Sequence, residues 1–305
     1  GYKKQARNRL DGEWGSRGHP ATSGRKRIGH FVLPGRVGHS CAPGNAGQFA
    51  GSGSGQGMLR ALIRLDDVHK EFLGTPVLQG VSLTVPAQCI YALIGPGAAG
   101  KSVLLKVVAG LLRPERGKVF VNDAELTSMR ELELAEARKS IGMLFQNYAL
   151  FDKNVYENIA FPLRRLYDLP EEEIRERVAE RLARVALPGT EERIPQSMSG
   201  GQKKRIGVAR ATIAKPEVIL YDEPTAGLDP VTSQKIYDLV QEEQRATKAT
   251  VMVISSDVSG VLTIADRVGM LHQGRLVFDG TAEEAKTSTI PEVNQFVHGL
   301  TEGPL

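Results

Sequence analysis

Residues 95–102, Gly95-Pro96-Gly97-Ala98-Ala99-Gly100-Lys101-Ser102, have the form G-x-x-x-x-G-K-S and follow the apolar run Ile90-Tyr91-Ala92-Leu93-Ile94. A short unbroken apolar run reads as a strand buried on both faces, and a strand running into this loop and then a helix is the context in which the motif holds phosphate. The glycines let successive backbone N–H groups turn toward one anion. Lys101 then reaches the outer phosphates, and the Ser102 hydroxyl can ligate Mg²⁺ at the start of the next helix. The stretch predicts a site for ATP or GTP lined by Gly95 to Ser102.

Outward from that loop the pattern alternates in the α/β manner. Strands are predicted near Leu62–Val68, Val77–Val85, Cys89–Ile94, Lys118–Val121, Ile141–Phe145, Val218–Tyr221, Val251–Ile254, Val268–Leu271 and Leu276–Phe278, with helices between. The early strands, parted by the turn-like Gly74-Thr75-Pro76, read as an antiparallel layer. The later ones, parted by helices, read as a parallel sheet covered on both faces. Between Asn147 and Gln196 the strand signal vanishes. There Pro170 and Glu171-Glu172-Glu173 open a charged helix whose apolar positions Ile174, Val178, Leu182 and Val185 recur at helical spacing.

The chain has 305 residues, 41% hydrophobic and 24% charged, enough for one large core or two small ones, and no stretch approaches the ~20 apolar residues of a membrane span. Cys41 and Cys89 are its only cysteines, which excludes a disulfide framework and a cysteine-rich zinc site. The net charge of +4 is uneven: residues 1–57 hold nine Lys and Arg against Asp11 and Glu13. This basic, Gly-rich segment has no apolar period and is expected to be disordered. A spurious extension upstream of a true start at Met58 is the favoured reading, against a targeting peptide or an arm for anionic lipid or nucleic acid.

Four further elements sharpen the phosphate loop. Val218-Ile219-Leu220-Tyr221-Asp222-Glu223 is an apolar strand ending in two carboxylates, with Asp222 placed to hold Mg²⁺ through water and Glu223 to orient or deprotonate the attacking water. A solvated acidic turn is the plainer alternative. Ser197-Met198-Ser199-Gly200-Gly201-Gln202 precedes a strong helical pattern, so Ser199 and its glycines offer either an anion site or an ordinary N-cap. Gln146 follows Phe145, and Ala226-Gly227-Leu228-Asp229 follows the two acids.

From Met58 to the C-terminus this set resembles the ATPases of ATP-binding-cassette (ABC) transporters: signature at Ser199–Gln202 with Met198 where Leu is usual, Q-loop at Gln146, D-loop at Ala226–Asp229. The resemblance implies an ABC ATPase fold, a P-loop parallel-sheet core with an antiparallel β layer and a helical insert. Its expected extent is 58–289, the insert at about 147–213, and a helical tail at 290–305. ATP would lie between the phosphate loop of one cassette and Ser199, Gly200, Gly201 and Gln202 of a second copy. Gln146 would join Ser102 and Asp222 around Mg²⁺ and link the site to the insert, whose groove receives a helix of an integral-membrane permease. Phe72 would stack on adenine, although a phenylalanine in a β layer is as readily core.

One departure stands out: the family's histidine beyond the strand after the D-loop is Ser256 here, within Val253-Ile254-Ser255-Ser256-Asp257. None of His19, His30, His39, His69, His272 and His298 lies near it in sequence. Loss of one donor to transition-state charge costs about 10²–10³ in rate by analogy. A slow but genuine ATPase is expected in preference to a module that only binds ATP.

Gln146-Asn147-Tyr148-Ala149-Leu150-Phe151, the run Asn154–Arg164, and the tail Val293–Leu300 with Gly303-Pro304 are similar to the Mla/Mce-type lipid-transport ATPases. That likeness implies a MlaE-type permease, a Mce-domain lipid-binding protein across the membrane, a phospholipid-like substrate, and a peripheral place on the cytoplasmic face of the inner membrane. An importer of small solutes is the rival. A nucleic-acid or ribosome cassette is disfavoured, since the chain shows no second cassette, long arms or zinc module. Lys203-Lys204-Arg205 accordingly reads as the solvated face of a helix.

Overall fold

A computed structural model describes residues 61–305. The expectations for 1–57 and for Met58 lie outside the described residues. Strands β1 (Ala61–Phe72) and β2 (Thr75–Pro86) form an antiparallel hairpin turned at Leu73-Gly74, both at positive φ. The turn is tighter than Gly74-Thr75-Pro76, because Thr75 and Pro76 already stand opposite Phe72 and Glu71. Next come β3 (Ile90–Ile94), α1 (Lys101–Val108), β4 (Arg116–Val121), β5 (Ala124–Glu125), α2 (Glu131–Ala137) and β6 (Ile141–Leu144). Cys89 sits one residue outside β3, although its carbonyl accepts from Val251 N.

Helices α3 (Val155–Leu166), α4 (Glu171–Arg184) and α5 (Gly200–Thr212) then follow without a strand among them. The chain returns through β7 (Val218–Asp222), α6 (Pro230–Thr247), β8 (Thr250–Ile254), α7 (Val258–Val261), β9 (Arg267–His272), β10 (Arg275–Thr281), α8 (Ala282–Lys286) and α9 (Pro291–His298). One sheet has the order β2-β1-β4-β5. The other has the order β10-β9-β3-β8-β7-β6, parallel except for the β9–β10 hairpin. The two-residue β5 was missed from sequence, too short for any period to register.

The six-stranded sheet divides the apolar interior. Alternate residues of its central strands face opposite cores: Ile90, Ala92, Ile94, Ile219, Tyr221, Val251 and Val253 toward α3–α6, and Tyr91, Leu93, Val218, Leu220, Met252 and Ile254 toward β1, β2 and α1. Both sets are buried, which is why these strands read as continuous apolar runs rather than as alternation. At ~1.5–3 kcal/mol for each fully buried aliphatic side chain, the two faces hold the loops at the strand ends rigidly.

The insert is tied to the core by charge as well as packing. Helix α4 buries Ile174, Val178 and Leu182, and between them Arg181, which pairs with Glu243 of α6. Arg184 reaches the same carboxylate at 3.0 Å, and the Thr212 hydroxyl of α5 lies 3.1 Å from the Arg181 guanidinium. A buried pair of this kind persists because its remaining donors are satisfied.

Candidate nucleotide-binding site

The phosphate loop is wedged at the end of β3, between β9 and β2. Gly95 has φ 142°, and a Cβ there would stand 2.1 Å from the Leu271 carbonyl oxygen; at Gly100, φ 101°, it would stand 2.9 Å from the Val77 carbonyl oxygen. Only glycine meets both demands. A Cβ on Gly97, by contrast, would meet nothing within 4 Å, so the middle of the loop borders open space. Lys101 begins α1 and is 9% exposed, its ammonium donating to Gly95 O at 2.7 Å and Pro96 O at 2.8 Å. Burial draws its pKa down, and the carboxylates of Glu223 and Asp222 push it back up.

One residue along, Ser102 Oγ donates to Asp222 Oδ1 at 2.9 Å, joining α1 to the end of β7. Asp222 is 3% exposed; burial raises its pKa, and the Ser102 hydroxyl opposes the shift. A hydroxyl and a carboxylate oxygen side by side fit Mg²⁺, which takes one or two protein ligands and leaves the rest to water and phosphate. Among the described residues no cluster of three or more His, Cys, Asp or Glu offers a richer cage. The Gln146 side chain, just beyond β6, is exposed and forms no hydrogen bond to Ser102 or Asp222.

Glu223 turns the chain after β7 at φ 51°, with its N–H donating to Ile254 O at 3.0 Å. Its Oε2 accepts from both the backbone N–H and the hydroxyl of Ser256, each at 2.9 Å. Ser256, expected from sequence to face the outer phosphate, thus holds the carboxylate beside it.

The signature segment is built as a helix start. Ser199 Oγ accepts from Gln202 N at 3.3 Å, while Gln202 Oε1 accepts from Ser199 N at 3.1 Å, a reciprocal capping box at the head of α5. Ser199 is exposed, and Met198 is buried in the α3–α6 core where leucine would sit equally well. A Cβ on Gly200 would meet Leu228, and one on Gly201 would stand 2.8 Å from Thr232, so the D-loop and the first turn of α6 brace this corner.

A family model described as ABC transporter matches residues 78–226, from β2 through the D-loop alanine. The Mycobacterium tuberculosis "Probable ribonucleotide transport ATP-binding protein mkl" is 40% identical over 244 residues, 80% of this chain and 68% of the relative. The Escherichia coli "Intermembrane phospholipid transport system ATP-binding protein MlaF" is 36% identical over 230 residues, 75% of this chain and 86% of the relative. The dimeric ATP-binding cassette MJ0796, bound to ADP and Pi in a post-hydrolysis state, superposes with a TM-score of 0.68 at 28% identity, covering 72% of this chain and 98% of that one.

This chain belongs to the ATP-binding subunits of ABC transporters. It is an ATPase with the ABC fold, and the cassette contains features that its motifs did not announce. A chain of hydroxyls crosses behind the site: Thr225 Oγ1 and Tyr237 OH are 3.0 Å apart, Tyr237 OH and Ser255 Oγ 2.7 Å, and Ser255 Oγ accepts from Asp257 N at 3.0 Å. It ties the loop after β7 to the loop after β8, and so Glu223 to Ser256. The sole sequence signal was Ser255-Ser256 itself.

Lys204 corrects the reading of a solvated basic face. The side chain is fully buried, and its ammonium donates to Glu223 O at 2.7 Å and Gln146 O at 3.2 Å. Helical phase places it inward: Val208 and Ala211, four and seven residues on, are buried on the same face of α5, which a count of basic residues ignores. Arg205 likewise turns in, donating to Val185 O at 3.0 Å. Phe72 stands at the hairpin tip, 44% exposed, with the Lys70 ammonium 5.1 Å from its ring centroid. The hairpin that carries it touches the phosphate loop through Val77.

Proposed function

We propose that the cassette is the motor of a lipid-moving transporter, hydrolysing ATP in a site shared by two copies. The observation that carries the shared site is the contrast between Lys101, folded in among the groups of its own loop, and Ser199, exposed and with its hydroxyl bonded only within its own capping box. A helix start whose glycines present backbone donors outward is an anion cap waiting for the triphosphate of a second copy. The dimeric assembly named for MJ0796 supports that reading.

In this scheme the N–H groups of Gly95 to Gly100 and the Lys101 ammonium bind the phosphates, and Phe72 stacks on the base. Ser102, Asp222 and Gln146 would hold Mg²⁺, which neutralises charge on the phosphate oxygens. Glu223 orients the attacking water and takes its proton, with Ser256 fixing the carboxylate through two hydrogen bonds. Ser199, Gly200, Gly201 and Gln202 of the second copy close over the outer phosphates.

A permease docks on the insert. Between β6, α3 and α5 runs a groove of about 330 Å³, whose wall carries Phe151 and Phe161 with ring centroids 4.8 Å apart. Both are exposed, at 40% and 48%. The buried Asn158 amide holds that wall, accepting from Phe151 N at 2.7 Å and donating to Phe151 O and Asn154 O. An apolar groove supported this way suits one helix of a membrane protein, and among the described residues no helix is long and apolar enough to cross a membrane itself. The place inferred is the cytoplasmic face of the inner membrane.

Lipid is the preferred cargo because of the likeness to MlaF and to the Mla/Mce tail, with a Mce-domain protein as the receiving partner. The name of mkl favours a second reading, a polar-solute transporter. The two separate when the chain is purified with its permease and placed in vesicles. ATP-driven movement of labelled phospholipid supports the first; ribonucleotide uptake with no lipid movement overturns it.

A further inference from the structure

Lys204 is the one described lysine with no exposed surface, and the nucleotide scheme gives it no task. A lysine ammonium has three donors and loses more by burial than any apolar residue of its size, so it stays inside only where acceptors surround it. Here two carbonyls, Glu223 O and Gln146 O, take two of them, and the Tyr148 ring lies 4.8 Å from the charge. The three acceptors belong to two loops. Glu223 begins the turn after β7, whereas Gln146 and Tyr148 belong to the segment after β6 that leads to the groove. Lys204 itself belongs to α5, whose first residues are Gly200 to Gln202.

We propose that Lys204 is a positioning residue for hydrolysis: its ammonium clamps the Glu223 carbonyl to the Gln146 carbonyl, so that α5, the Q-loop and the water-orienting carboxylate move as one body. Glu223 has a left-handed backbone, φ 51°, which a non-glycine residue adopts only when its surroundings impose it. Its N–H is held by Ile254 O, and its carbonyl accepts from the Lys204 ammonium at 2.7 Å and, more weakly, from Ala226 N at 3.3 Å. Without the Lys204 ammonium only the longer bond from Ala226 N remains, so the backbone relaxes and the carboxylate swings away from Ser256. Lys204 touches none of the phosphate-loop atoms, so its contribution falls on the chemical step and not on nucleotide affinity. The inference rests on Glu223 being the group that orients water, and the test keeps the two ideas apart.

Full-length chains carrying Lys204→Met, Lys204→Gln and Lys204→Arg are compared with the parent and with Glu223→Gln for phosphate release under Mg·ATP, for ATP KM and for melting temperature. Lys203→Gln, an equal charge change at the neighbouring position, serves as control. A misplacement of about 1 Å at a reacting group costs ~10²-fold, so Lys204→Met should lose about that much in kcat at unchanged KM. Lys204→Gln, able to bond one carbonyl, should fall between, and Lys204→Arg should recover most of the loss. On a Glu223→Gln background the Lys204→Met change should add nothing. If Lys204→Met keeps the parental kcat, the inference is overturned. It is equally overturned if kcat and KM fall in step with melting temperature and Lys204→Arg gives no rescue, since that pattern marks a purely structural lysine. If instead Glu223→Gln hydrolyses like the parent, the reading of Glu223 fails, whatever Lys204 does.

Discussion

The phosphate-loop end of the site is closed in on itself, with Lys101 on the carbonyls of Gly95 and Pro96 and Ser102 on Asp222, whereas at the signature end Ser199 is exposed and its hydroxyl bonds only within its own capping box. Both ends begin a helix, α1 and α5, and both are rich in glycine. They differ in what surrounds those glycines. In the phosphate loop Gly95 and Gly100 are pressed against backbone carbonyls of β9 and β2, while a Cβ on Gly200 or Gly201 would meet only side chains, Leu228 and Tyr148 at the one and Thr232 at the other. One end is a finished cradle and the other a surface whose first helix donors, outside the capping box, are left to water or to a ligand.

Glu223→Gln tests the cradle most severely. The amide keeps the shape and can still accept from Ser256, yet it cannot take a proton, so phosphate release should drop by about 10²–10⁴-fold with ATP binding retained. Hydrolysis at the parental rate would remove Glu223 from the chemistry altogether.

Ser199→Arg tests the surface. A bulky cation there spoils the cap without touching the cradle, so turnover should fall by about 10²–10³-fold while a single chain binds ATP as before. Should ATP affinity fall in parallel, the two ends serve one nucleotide within one chain, and the contrast drawn above loses its meaning.

The cradle was the more legible end because its chemistry is local. Gly95 to Ser102 and Val218 to Glu223 are contiguous runs whose residue types point to a phosphate ligand, and the unbroken apolar strands around them read as a sheet covered on both faces, while the cassette fold itself followed from the family resemblance. What sequence could not supply was contact across loops. Ser256 stands thirty-odd positions from Glu223 yet shares a carboxylate oxygen with it, and Tyr237, Thr225 and Ser255 form one hydroxyl chain from three elements. Lys204 was misread for a related reason: three consecutive basic residues look alike in a list, whereas the fold turns Lys204 fully and Arg205 partly inward onto backbone carbonyls.

Substitution of Ser256 sharpens the difference between a missing histidine and a working serine. Ser256→Ala deletes the hydroxyl bond to Glu223 and keeps the backbone one. A hydrogen bond to a charged group contributes ~1.5–3 kcal/mol, which sets the loss at about 10- to 100-fold in kcat. Ser256→His restores a ring that can reach the phosphates and should hold or raise the rate. If alanine is as fast as serine, the hydroxyl is idle, and the backbone N–H alone positions the carboxylate.

Tyr237→Phe is the mildest break and the most specific. The phenol sits wholly inside the core between Thr225 and Ser255, and burial, with the carboxylates of Asp257 and Glu223 adding to it, pushes its pKa up to about 12, so it acts as a neutral bridge throughout the physiological range. Its loss strands the Thr225 hydroxyl, while Ser255 keeps its bond from Asp257 N. An unsatisfied buried hydroxyl costs roughly 1–3 kcal/mol, visible as a melting temperature lower by several degrees. Turnover should fall less than in Ser256→Ala, because the bonds from Ser256 to Glu223 survive and only the strut behind them is cut. A larger loss of turnover than of stability would place Tyr237 nearer the chemistry than its position behind the two loops allows.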